Sequence, residues 1–200
     1  MVVAVDRVGS LERTEEECRR SLERLRWPGG ICCPRCEGRA ISEIPARRRF
    51  YCGGCRHFFS LTSGTAFHNS HLPIWKWLLA IELLLDAEGG LPASELQKLL
   101  GGSYKTAWFA EHRIRAALAE ATGAPDLPPS DGAAGRTYER AITGRYRQLG
   151  LKYLAAYEAE ASWRARHAGN GDALRETVLA LLRASPVSMA ELRSGARRPG

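Results

Sequence analysis

Two Cys-x-x-Cys pairs, Cys33-Pro34-Arg35-Cys36 and Cys52-Gly53-Gly54-Cys55, constrain this chain more than any other feature, and fifteen residues separate them. Each pair sits in a tight turn that brings two thiolates to one side, and the intervening segment is long enough for a hairpin that returns the second pair to the first. Four sulfurs from Cys33, Cys36, Cys52 and Cys55 then close a tetrahedron around Zn(2+). Such a site keeps no position for water, so it stabilises folding and performs no chemistry. Disulfides or a thioredoxin-like redox pair fit less well, because there are two pairs and neither opens a helix after a strand. His57, two residues after Cys55, is a competing ligand that a complete set of four cysteines makes unnecessary. Four metal-binding cysteines out of six, with no signal-peptide pattern at Met1, point to a reducing cytoplasm.

Around this ribbon the chain reads as α+β and mainly helical. Thr14-Glu15-Glu16-Glu17 has the form of a capping box, which predicts a helix to about Arg26 with Cys18, Leu22 and Leu25 on its buried face. Cys18 is therefore a core residue, and Cys32, beside Cys33, points away from the metal. Trp27-Pro28-Gly29-Gly30 ends the helix. Ile41 to Ile44, Arg49 to Tyr51 and His57 to Leu61 read as three short antiparallel strands, with a turn at Pro45 and Ala46. Arg47, Arg48, Arg49 and Arg56 surround that sheet, either as phosphate contacts or as a solvated basic edge.

Pro73 opens a helix whose Ile74, Trp77, Leu78, Ile81, Leu84 and Leu85 have helical spacing with little polar relief. His68 and His71, just before it, read as surface or capping residues. A second helix over Pro92 to Leu100, the turn Gly101-Gly102-Ser103 and a third helix from Tyr104 to about Glu120 suggest helix-turn-helix. In that arrangement the third helix lies in the major groove. Ser103, Tyr104, Lys105 and Thr106 at its start face DNA, with Arg113 further along, while Ala107, Ala110 and Ile114 pack inward. The alternative is an ordinary three-helix bundle whose Lys105, His112, Arg113 and Arg115 form a wet face.

Residues 121–135 lack any period and are rich in Pro and Gly, as a linker is. Beyond them lie scattered basic residues over Thr137 to Gly150, helices over Tyr153 to Arg166 and Asp172 to Arg183, and a disordered tail over 193–200. The resulting organisation is a helix plus ribbon over 14–62, a helix-turn-helix-like bundle over 70–120, a linker and a helical segment over 136–192. The formal charge of +7 permits a polyanionic partner. The longest apolar run, Trp75 to Leu85, is interrupted by Lys76 and Glu82 and is too short to span a bilayer.

The chain resembles the IS1595 family of transposases, of the ISXO2 type. The likeness is carried by Arg26-Trp27-Pro28-Gly29-Gly30, the two cysteine pairs, Ser63-Gly64-Thr65-Ala66-Phe67, Leu72-Pro73-Ile74-Trp75-Lys76-Trp77 and the stretch from Leu99 to Arg115. It covers residues 14–118 almost without interruption. The resemblance implies a zinc ribbon and helical segment that bind the double-stranded ends of an insertion sequence, followed by an RNase-H-like domain whose three acidic residues hold two metal ions. Here the chain departs from the family: the Pro/Gly-rich linker stands where the strand with the first catalytic Asp belongs. Asp126 and Asp131 lie among prolines and glycines, so no catalytic residue carries over. Ile142 to Tyr157 and Trp163 to His167 look more loosely like the family's closing segment.

The expectation is therefore an internally deleted, transposase-derived DNA-binding protein without enzymatic activity, whose C-terminal segment is a helical remnant. It would act on element ends alone, or with itself or an intact transposase as partner. The rival readings are a nonfunctional relic and a subunit of an active transposase.

Overall fold

The computed structural model describes residues 13–87, 90–123 and 153–194. The first helix, α1 (Glu15–Arg26), begins at the expected capping box. The Glu17 amide donates to Thr14 Oγ1 at 3.3 Å, and the Thr14 amide donates back to Glu17 Oε2 at 2.8 Å. Glu15, Glu16 and Glu17 in its first turn and Arg24 and Arg26 in its last oppose the helix dipole. Cys18 and Leu22 are buried on its inner face, as their spacing requires.

The chain then forms β1 (Ile41–Ile44), a 3₁₀ turn over Pro45–Arg47, β2 (Arg49–Cys52) and β3 (Phe58–Phe59), an antiparallel sheet in the order β1-β2-β3. Ile41 pairs with Cys52 and Phe50 with Phe59. Alternation along β2 sends Phe50 and Cys52 inward while Arg49 stays exposed. Beneath the sheet Phe50 and Phe59 meet the Trp27 ring edge-on, with centroids 5.6 and 6.1 Å away. Aromatic packing of this kind adds to area burial, so the ribbon is joined to α1 by more than its covalent link.

Helix α2 (Ile74–Asp86) buries Ile74, Trp77, Leu78, Leu79, Ala80, Ile81 and Leu84. After α3 (Ala93–Leu100), Gly101 and Gly102 take φ of +70° and +89°, a conformation that glycine adopts without the Cβ penalty. The chain thereby reverses into α4 (Tyr104–Thr122), and Lys76 Nζ donates to the freed Leu100 carbonyl at 2.5 Å. Helices α5 (Leu154–His167), α6 (Ala173–Arg183) and α7 (Met189–Ser194) follow. Arg193 and Ser194, expected in the tail, belong to α7, and the greater part of the expected linker lies outside the described residues.

The C-terminal helices share the core of the N-terminal part. α5 lies along α4, while α6 contacts α1, α2 and α4. One apolar cluster runs from Cys18, Leu22 and Trp27 through Trp77, Ile81 and Leu84 to Val178, Leu181 and Leu182. The Ala66 amide donates to the Leu181 carbonyl at 3.0 Å, and Trp163 Nε1 donates to Thr177 Oγ1 at 2.9 Å between α5 and α6.

This arrangement overturns the reading of His112, Arg113 and Arg115 as a wet face, because five consecutive α4 residues, Glu111 to Arg115, are buried. Arg115 is fully enclosed. Its Nη2 donates to Glu111 on α4, its Nε donates to Glu160 on α5, and its guanidinium lies 3.7 Å from the centre of the Tyr157 ring. Glu160 also faces Arg164 Nε at 3.3 Å, and Arg164 Nη1 donates to the Ala87 carbonyl at the end of α2. His112 stacks on Trp108 with centroids 3.9 Å apart, and burial holds it down to about 3, so it is neutral.

A buried charge that loses its partners is costly, so Arg115→Ala is expected to destabilise the protein by roughly 3–5 kcal/mol. Arg20→Ala, at the exposed Glu16 pair, should cost at most about 0.5 kcal/mol. Urea unfolding of both variants checks this. Burial also pushes Glu111 up to about 7, against the pull of Arg115. An unfolded Glu111 releases its proton near 4.5 and the folded one holds it to about 7, so stability should fall as pH rises through that window. Glu111→Gln should flatten the fall.

Candidate metal centre and nucleic-acid interface

The two cysteine pairs form knuckles of the same geometry. In the first, the Glu37 amide donates to the Cys33 carbonyl and the Cys33 amide to the Gly38 carbonyl; in the second, Arg56 donates to Cys52 and Cys52 to His57. Both knuckles turn through a left-handed residue, Glu37 at φ +58° and Arg56 at φ +61°. This repeat places each pair of thiols on one side, and the β1–β2 hairpin brings the pairs together. The Sγ atoms of Cys33, Cys36, Cys52 and Cys55 all lie within 4.8 Å of one another, with Cys33–Cys55 and Cys36–Cys52 each 3.6 Å apart.

A tetrahedron with Zn–S bonds of about 2.3 Å has edges of about 3.8 Å, so the four sulfurs fit zinc. Their surroundings fit as well. A Cβ on Gly38 would stand 3.3 Å from Cys36 Sγ, which leaves that place to a residue without a side chain. Cys33 is driven up by desolvation, but amides of Arg35 and Cys36 and neighbouring thiols outweigh this and bring it to about 7. Cys36, although the Gly38 amide favours its thiolate, is pushed up to about 12 by the Cys55 and Cys52 sulfurs. Sulfurs so close cannot all ionise unless a cation lies between them, and a divalent metal supplies it. Zn(2+) is therefore structural here. His57 and Cys32 stand outside the cluster.

The remaining expected site residues fall in three places. Arg47, Arg48, Arg49 and Arg56 are all exposed around the ribbon, with Arg48 closing the 3₁₀ turn in a left-handed conformation at φ +49°. Ser103, Tyr104, Lys105 and Thr106 are exposed at the start of α4. Ser103 caps that helix, its Oγ accepting from the Thr106 amide at 3.1 Å. Arg113, by contrast, is no surface residue: only 4% exposed, it donates to the His68 carbonyl at 2.6 Å and the Val187 carbonyl at 3.1 Å. Beyond its first turn α4 packs against α2, α3, α5, α6 and α7, which leaves exposed its N-terminal end and, near its C-terminal end, Glu120 and Ala121.

By sequence the third strand extends to Leu61 and residues 62–67 receive no element, whereas β3 ends at Phe59 and two arginines hold the segment 60–71. Arg26 at the end of α1 donates to the Leu61 carbonyl and, at 2.6 Å, to the Ser63 carbonyl, while Arg113 holds His68 from α4. Burial brings the half-buried Arg26 down to about 10. The available signal was the cluster of hydroxyl residues Ser60, Thr62, Ser63 and Thr65, which bond within the segment: the Ser60 amide donates to Ser63 Oγ at 2.9 Å and Thr65 Oγ1 to the Thr62 carbonyl at 2.8 Å.

No helix among the described residues is long and apolar enough to cross a membrane. Cys33→Ser should lower the zinc-to-protein ratio and loosen the ribbon, read by metal analysis and near-UV circular dichroism. An unchanged ratio would remove Cys33 from the metal centre.

Comparison with known proteins agrees with this geometry. Residues 13–58 match the family model of the transposase zinc-ribbon domain of IS1595 type. Over 108 residues the chain is 27% identical to the uncharacterized protein in transposable element ISH50 of Halobacterium salinarum, a match covering 52% of this chain and 36% of that protein. The chain thus spans about a third of the length of that relative. No solved structure matches it.

Proposed function

We propose that this chain, with its transposase zinc-ribbon domain and its likeness to an insertion-sequence protein, binds the double-stranded ends of an insertion sequence and performs no strand transfer of its own. The observation that carries the reading is the exposed cationic rim of Arg47, Arg48, Arg49 and Arg56 on a rigid zinc-held hairpin. Guanidiniums on such a scaffold contact phosphates with little loss of entropy on binding. The exposed first turn of α4 is a second contact. Its free amides and helix dipole favour a phosphate, and Lys105 adds charge beside them.

The reading without strand transfer rests on the sequence, where the Pro/Gly-rich linker stands in place of the strand that would carry the first catalytic Asp. Of the buried carboxylates Glu111, Glu158 and Glu160, Glu111 and Glu160 are engaged with arginines. A carboxylate already paired with a guanidinium is poorly placed to hold a metal ion for water activation. A protein that occupies the ends without cutting them competes with an intact transposase for the same DNA.

Fluorescence anisotropy of the zinc-loaded protein on duplexes from its gene's flanking repeats, against scrambled duplex at two salt concentrations, tests the reading. Specific end binding predicts a preference on the order of a thousandfold that persists at the higher salt. Equal, salt-labile binding to both would leave a nonspecific relic. Replacing Arg47, Arg48 and Arg49 together by Ala should weaken binding to every duplex and reduce the salt slope by about three. Lys105→Ala should reduce it by about one if it contacts phosphate. Incubation with magnesium or manganese should leave the ends uncut; nicked product would restore the enzyme.

A further inference from the structure

A cleft of about 660 Å³ opens between the ribbon and segment 60–71. Arg35, Arg49, His57 and Phe58 form its ribbon wall, and His68 and His71 stand on the other side among hydroxyl residues. Two arginines and three histidines line it and no carboxylate does, so the permanent charge facing it, that of Arg35 and Arg49, is positive and attracts anions. We infer that this cleft takes an unpaired DNA strand, a ligand distinct from the duplex of the proposed function, although the choice of DNA rests on that reading.

Size, an aromatic edge and rigidity support this occupant. A volume in the range of about 300–1,000 Å³ encloses a small molecule. It therefore admits a nucleotide or two of one strand, and not a double helix whose major groove alone is about 12 Å wide. Phe58 stands at the cleft 51% exposed, although it is a phenylalanine in a sheet. Its ring is backed by Tyr51 with centroids 4.9 Å apart. Such a supported, half-exposed ring is a platform on which an unstacked base lies, and paired bases inside a duplex have no free face to offer it. The opposite wall is built in advance. Arg26 and Arg113 hold its carbonyls, and the Gly64 amide donates to His68 Nδ1 at 3.3 Å, which leaves the His68 Nε2 proton available to a phosphate oxygen. A wall fixed in this way loses little freedom when a strand enters.

The experiment uses the 200-residue, zinc-loaded chain with Arg35→Ala and Phe58→Ala, measured by anisotropy on a fluorescent single strand of about ten nucleotides and on the flanking duplex. The zinc ratio and unfolding midpoint of each variant establish that it is folded. Each substitution should lower single-strand affinity about tenfold while leaving duplex affinity within about twofold, and Phe58→Trp should restore it. Arg35→Ala should also reduce the single-strand salt slope by about 0.7. Unchanged single-strand affinity in both variants, or no single-strand binding by the parent protein, would overturn the inference. So would a parallel loss on duplex, which would put duplex backbone in the cleft. A parent that binds the single strand as expected but does not prefer its flanking duplex would defeat the end-binding reading alone.

Discussion

The enclosed guanidinium of Arg115 is the constraint on which the helical part depends. A charge with no exposure must be met on every side, and here Glu111 on its own helix, Glu160 on α5 and the Tyr157 ring meet it. Because two of these partners come from the C-terminal segment, the register of α5 on α4 is set by polar geometry as well as by apolar contact. Apolar surfaces tolerate sliding by a turn; a guanidinium between two carboxylates does not. Arg164 extends the same chain of contacts to the end of α2, so three helices are fixed relative to one another.

Arginine recurs as a structural tool elsewhere in the molecule. Arg26 donates to the Leu61 and Ser63 carbonyls and Arg113 to the His68 carbonyl, all in the segment between ribbon and bundle, while Arg113 also donates to the Val187 carbonyl beyond α6. That segment has little regular structure of its own, and backbone acceptors without ladder partners must be satisfied some other way. The ribbon reaches the same core through Trp27, Phe50 and Phe59. Zinc therefore holds the outer half of the hairpin, and aromatic contact holds its inner half. The exposed arginines of the rim are a separate population, distinguished by position alone.

Much of this was legible in local pattern. The α1 capping box, the four-cysteine spacing and the helical period of α2 each encode a structure that short-range physics decides, and each appears where it was expected. Arg113 and Arg115 were misread because a charged residue on a helix is ordinarily solvated, and nothing near them in the sequence reveals α5 as their cover. The partners lie far along the chain, at Glu160 and Val187. Residues 62–67 received no element for the same reason: the segment is held by Arg26 and Arg113, which are remote from it in sequence. The scattered basic residues over 137–150 lie outside the described residues.

The contact of α6 with α1 and α2 has a consequence for synthesis. Trp77, Ile81 and Leu84 on α2 share one apolar cluster with Val178, Leu181 and Leu182 on α6, which packs against α2 and is translated well after it. A nascent chain can load zinc and close its ribbon early, since all four ligands lie within the first third of the sequence. Its central helix then waits with an uncovered face until α6 emerges, a period in which chaperones and proteases compete for it.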